Sequence, residues 1–169
     1  KMVPLLKNII VADSHLLVAK KYLSNWNYVL NKNSIPAGIY AAWEKEIAVM
    51  CTNLFIPSTV KNNIGLQISS IIKRLENPTV YFGDQAIEKR NALLAQALEK
   101  AVLALNKKLG MKMEDWQYGQ AKYKHITLEH PLASLVSLDI QKRLNLGPLP
   151  RGGSGQTPGS TGATDNQMS

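Results

Sequence analysis

The chain has 169 residues, 45% of them hydrophobic and 19% charged, with a formal net charge of +8. That length suits one ordinary domain, and the hydrophobic share excludes a wholly disordered chain. No run approaches the ~18–20 uninterrupted apolar residues that a bilayer-spanning helix needs, and the single cysteine, Cys51, excludes an intramolecular disulfide framework and a cysteine-based zinc finger.

The chain opens Lys1-Met2-Val3-Pro4, with neither an initiating methionine nor an apolar signal region, and stops in polar sequence at Asn166-Gln167-Met168-Ser169. Both ends are expected to be cuts in a longer protein. A first helix is capped by Asp13, with Leu16, Ala19, Leu23 and Trp26 at helical spacing. Asn31-Lys32-Asn33 makes a turn. Ser34 then caps a second helix with Pro36 in its first turn, where a missing amide hydrogen does no harm. Its apolar stripe is Ile39, Tyr40, Trp43, Ile47, Met50, Cys51 and Leu54, and Pro57 ends it. Within that stripe Cys51 reads as a small buried hydrophobe.

Ile64, Ile68, Ile71, Ile72 and Leu75 predict a third helix, closed by Asn77-Pro78. A fourth is capped by Asp84, with Ile87, Leu94, Leu98, Ala101, Leu105 and Leu109 along one side. Lys107 and Lys108 suit the negative end of its dipole, and Gly110 terminates it. The period then changes to alternation over 122–128, which predicts a strand. A short helix is expected around Ser134–Leu144. These readings give two regions: a mainly α region over 1–146 with a strand near 122–128, and a Gly/Ser/Thr/Pro-rich extended tail over 147–169. The tail from Gly152 onward has few apolar side chains to offset its ordering entropy, so it is expected to be mobile or held by a neighbouring molecule.

The basic surplus invites nucleic acid as a partner. The cations are scattered as helical pairs, however: Lys20-Lys21, Lys73-Arg74, Lys89-Arg90 and Lys107-Lys108. They read as solvated helix faces, and neither nucleic acid nor membrane is an expected partner.

Self-sufficient chemistry is hard to find. His125 and His130 sit five apart on an extended segment, so they would not share a metal, and no metal or cofactor is expected. Arg151-Gly152-Gly153-Ser154-Gly155 resembles a phosphate cradle, but no Gly-Lys-Ser/Thr follows, Pro158 breaks a dinucleotide fingerprint, and Gln156 breaks a nucleophile elbow. Those glycines make either a purely structural turn or a substrate-facing loop. Glu114-Asp115 diverge as adjacent residues and read as capping or solvating groups rather than an acid–base pair. Trp26 and Trp43 read as core anchors on helices, and Trp116, beside Tyr118 and Gly119, as a third anchor.

Trp116-Gln117-Tyr118-Gly119, His125-Ile126-Thr127, His130-Pro131-Leu132 and Pro148-Leu149-Pro150-Arg151-Gly152-Gly153 with Thr157 follow one another at a particular spacing. That succession resembles the C-terminal half of the large chain of the penicillin acylase family, amidohydrolases of the N-terminal-nucleophile class. The Tyr22–Trp43 stretch is similar to it as well. The chain departs from some relatives after Thr157, where Pro158-Gly159-Ser160 stand in place of an asparagine.

The resemblance implies a helical insert with the start of a returning strand system, excised from an αββα hydrolase. It implies a precursor, exported to the periplasm or beyond the cell, that cuts itself to expose an N-terminal serine. That serine attacks a linear amide carbonyl, its own α-amino group acts as base, and an oxyanion hole holds the intermediate. The activity implied is amide-bond hydrolysis of the kind tied to antibiotic biosynthesis. Lys1 supplies no such serine, so no catalytic residue is assigned here and the chain alone is expected to be inactive. The expected partners are the remainder of the parent acylase and a small-molecule amide. Surface built to be buried is expected to drive self-association. The alternative reading is a free-standing basic helical binding or scaffold module.

Overall fold

The computed structural model describes residues 1–60 and 65–154. It is mainly helical: α1 (Ser14–Ser24), α2 (Ile35–Phe55), α3 (Ile68–Glu76), α4 (Pro78–Tyr81), α5 (Ala86–Leu109) and α6 (Leu138–Leu144), with two short strands, β1 (His125–Leu128) and β2 (Leu146–Pro150). Single 3₁₀ segments lie at Val3–Asn8, Met113–Asp115 and Ala133–Leu135.

The core is the seam between the two long helices. Ile39, Trp43, Ile47 and Cys51 on α2 are fully buried, as are Leu94, Ala97, Leu98 and Ala101 on α5. Their spacing of three and four residues puts each set on one helix face. The Trp43 indole N–H crosses the seam and donates to the Leu94 carbonyl at 3.0 Å. Met2, Val3 and Leu6 of the first 3₁₀ segment and its N-cap, and Leu23 of α1, extend this core. Burial drives the Cys51 thiol up to about 11, against the nearby Arg74 charge. It therefore packs as the small hydrophobe its position implies.

Two caps sit where the sequence places them. Asp13 accepts the Leu16 amide at 2.9 Å, and Ser34 accepts the Ala37 amide at 3.2 Å. Asp13→Ala is expected to cost about 1 kcal/mol, read as a lower urea midpoint with an unchanged slope. A loss under a few tenths would show that the cap is idle.

Other expectations need correction. Trp26 lies past the end of α1, although it is buried, and its indole N–H donates to Val29 O at 3.1 Å. Leu54 is 56% exposed, whereas the next residue of the last turn of α2, Phe55, packs against Tyr81 and Phe82. Ile64 lies outside the described residues. Pro78 both closes α3 and opens α4.

The cap of α5 is not Asp84. Gly83 and Gln85 both take positive φ, +66° and +54°, and this turn places Gln85 at the helix entrance with no side-chain cap. The buried face shifts accordingly. Ile87 is 51% exposed, whereas Ala86, Arg90 and Leu93 turn inward. Arg90, read as half of a solvated pair, is buried and donates to the Leu75 carbonyl at the end of α3 and to Asn91 Oδ1. Lys20 and Arg74 are likewise engaged: Lys20 donates to Ile9 O at 2.7 Å, while Arg74 donates to Ser70 and lies over the Phe55 and Tyr81 rings. These cations bind the helices together rather than coating them.

The predicted strand is shorter than expected, because residues 120–123 turn, with the Tyr123 amide donating to Gln120 O. A second strand lies where the tail was expected to start. β2 runs antiparallel to β1, pairing His125 with Pro150, Ile126 with Leu149 and Leu128 with Leu146. Gly147, at φ +120°, turns close over Ile126 O, where a side chain would not fit.

Candidate functional site

Two of the motifs that stand out in the sequence, Trp116-Gln117-Tyr118-Gly119 and Arg151-Gly152-Gly153, meet at one place. Trp116 is fully buried, and its indole N–H donates to Gly110 O at 2.8 Å, at the end of α5. From that anchor the next residues run along the turn before α2. The Tyr118 amide donates to Ser34 O at 3.1 Å and the Gly119 amide to Lys32 O at 2.6 Å. The segment after β2 closes the other side: the Gly153 amide donates to Leu30 O at 2.8 Å, and the Tyr118 hydroxyl donates to the Gly153 carbonyl.

Glycines make this crossing feasible. A Cβ on Gly38 would strike the Trp116 carbonyl, and one on Gly119 would strike Arg151 O and Lys32 Cβ. One on Gly152 would lie 2.8 Å from Leu30 O. The Arg151-Gly152-Gly153 turn is a close backbone crossing, with Gly153 buried. Gly155 to Ser169, with Thr157 and the Pro158-Gly159-Ser160 departure, lie outside the described residues, as does most of the tail expected to be mobile. Gly152 and Gly153, at its start, are held within the chain.

Beside this crossing lies a groove of about 1080 Å³, walled by Trp26, Tyr40, Ile71, Leu105 and Tyr123 among others. The Trp26 and Tyr40 rings pack at 4.8 Å. Burial, followed by a hydrogen bond to Glu44, raises the Tyr40 hydroxyl well above its ordinary range. Burial does the same for Tyr123, with Tyr118 adding to it, and the Tyr123 hydroxyl donates to Gly38 O at 2.8 Å. Lys108 and Lys124 place their ammonium nitrogens 5.4 Å and 5.7 Å from the Tyr123 ring centroid. The Lys124 ammonium is held below its usual range by burial first, then by the charges of Arg151, Lys108 and Lys45, with Glu44 opposing. The tyrosines supply aromatic walls, their hydroxyl hydrogens being committed to Gly38 O and Glu44, and the ammonium groups attract anions.

The remaining candidates take structural places. His125 is exposed on β1, while His130 lies beyond it, its Nδ1 accepting the Leu132 amide at 3.1 Å and its own amide donating to Asn145. Glu114 and Asp115 are exposed in a 3₁₀ turn ahead of Trp116. Among the described residues no three His, Cys, Asp or Glu side chains gather to hold a metal ion, and no helix is long and apolar enough to cross a membrane.

Sequence reasoning missed the groove. Tyr40 and Glu44, one helical turn apart on α2, were its one local signal. Tyr123 and Lys124 join them only through the crossing.

A family model described as penicillin amidase matches residues 1–168. No curated protein gives a significant match to the chain.

Proposed function

The chain belongs to the penicillin amidase family, and from that premise we propose that it is part of an acylase that hydrolyses a carbon–nitrogen bond in a linear amide. The observation that carries this reading is the extent of the match, which takes in nearly the whole chain. In this reading an N-terminal serine outside these residues adds to the amide carbonyl. Its α-amino group takes the hydroxyl proton and passes it to the departing amine, and water then releases the acid from the serine ester. The contribution of these 169 residues is helical scaffold and the entry to the returning strands.

Two features of the chain support that role. Ser24 and Ser34 use their hydroxyls on helix backbone, and Ser70 accepts from Arg74, so each is committed to structure. Leu135, Leu138 and Leu146 are 78%, 74% and 53% exposed, an apolar surface that suits contact with the rest of an acylase. Export to the periplasm or beyond the cell belongs to the same proposal.

The test compares this chain with the full-length processed protein on phenylacetyl, aliphatic acyl and β-lactam amides. Turnover is expected from the full-length protein and none from the chain alone, since loss of even one oxyanion donor costs about 10²–10³ in rate. Turnover by the chain that scales with its purity would place the nucleophile within it. Silence from the full-length protein on every amide would overturn the acylase reading in favour of a helical binding module.

A further inference from the structure

The groove beside the crossing collects more positive charge than its role as a scaffold requires. Lys45 on α2, Lys108 on α5 and Lys124 before β1 all line it, and Arg151 acts on Lys124 from the end of β2. Glu44 is the carboxylate that acts on Lys124 among them, and it already accepts the Tyr40 hydroxyl. Lys1 and Glu46 also face the groove, and Lys1 pairs with Glu76 at 3.9 Å. Three cations from three separate segments, Lys45, Lys108 and Arg151, thus act on one half-buried ammonium group, that of Lys124. Like charges brought together and desolvated oppose folding, and an anion between them relieves that opposition. The walls are apolar and aromatic: Trp26, Tyr40 and Tyr123 stand beside the charges. A flat apolar body with one anionic end matches both parts.

We propose that this groove binds a small arene carrying an anionic oxyacid group, carboxylate or phosphate, with the anion held by Lys124, Lys108 and Lys45 and the ring against the aromatic wall. This inference uses the charges and the cavity of the chain and does not rest on the acylase reading.

The probes are benzoate and phenyl phosphate, titrated calorimetrically into the 169-residue chain at fixed ionic strength, beside benzamide and inorganic phosphate. Saturable binding of at least one aryl anion is expected, and which of the two binds more tightly identifies the oxyacid. Benzamide should bind at least about ten-fold more weakly, because a hydrogen bond to a charged group contributes about 1.5–3 kcal/mol. Inorganic phosphate should also bind at least about ten-fold more weakly, because it has no ring to bury against the aromatic wall. Lys124→Met should weaken the aryl anion about ten-fold or more, and exposed Lys122→Met should leave it unchanged. If Lys124→Met loses its helical circular dichroism, Lys108→Met takes its place with the same expectation. In labelled-lysine spectra, the bound anion should raise the pH at which Lys124 titrates, since an opposite charge favours the charged form. Absence of saturable binding by both aryl anions would overturn the proposal. So would benzamide or inorganic phosphate binding as tightly as the aryl anion, or undiminished binding in a folded lysine variant.

Discussion

Trp43→Ala is expected to remove about 3–5 kcal/mol of folding stability. The whole fold of a domain this size rests on about 5–15 kcal/mol, so the variant should be close to half unfolded under mild denaturant. Trp43 is fully buried in the α2–α5 seam. Truncation leaves a void the size of an indole between two long helices, and neither helix can close on it without moving the flanking Ile39, Ile47, Leu94 and Leu98. The substitution also strips the Leu94 carbonyl of the indole donor at 3.0 Å. Trp43→Phe narrows the two contributions, because it keeps one aromatic ring in the seam while removing the donor and the smaller part of the indole volume. It should cost about 1–3 kcal/mol. Urea unfolding followed by far-ultraviolet circular dichroism measures both. A loss under 1 kcal/mol for the alanine variant would mean that the seam is not the core.

That core was legible because its information is local. Helical spacing, the caps at Asp13 and Ser34 and the stop at Gly110 all act within a few residues, and each element forms where its own sequence places it. The failures share a different cause. Asp84 lost the cap position to a turn in which Gly83 and Gln85 both take positive φ, a geometry that glycine advertises and glutamine does not. Arg90 became a buried tie because the shifted face of α5 meets the end of α3. β2 escaped notice because Pro148 and Pro150 cannot donate to a ladder, which reads as coil until an upstream partner is known. The motif residues were visible as unusual, yet their purpose was not. Gly119, Arg151 and Lys32 are far apart in the chain, and only the folded crossing brings them together.

Gly119→Ala is the substitution that tests the crossing itself. Its cost arises from space, because the position of the added methyl group is already filled by the Arg151 carbonyl and the Lys32 side chain, with Lys32 Cα at 2.8 Å. Two of those three neighbours are backbone atoms and cannot rotate away. Either the Lys32 turn or the segment after β2 must move. Moving the turn breaks the 2.6 Å bond from the Gly119 amide to Lys32 O, and moving the other segment breaks the Gly153–Leu30 and Tyr118–Gly153 bonds. Overpacking of this kind costs about 1–3 kcal/mol, and each lost bond adds about 1 kcal/mol. The total approaches that of Trp43→Ala, but it falls on a different part of the molecule. Helix α5 keeps its packing against α2, so the far-ultraviolet spectrum should survive while amide protection collapses at Gly119 and Gly153. Gly65→Ala is the matched control, since a Cβ there meets nothing within 4 Å. Equal exchange protection in the Gly119 and Gly65 variants would show that the crossing tolerates a side chain, and that its glycines owe their positions to something other than close packing.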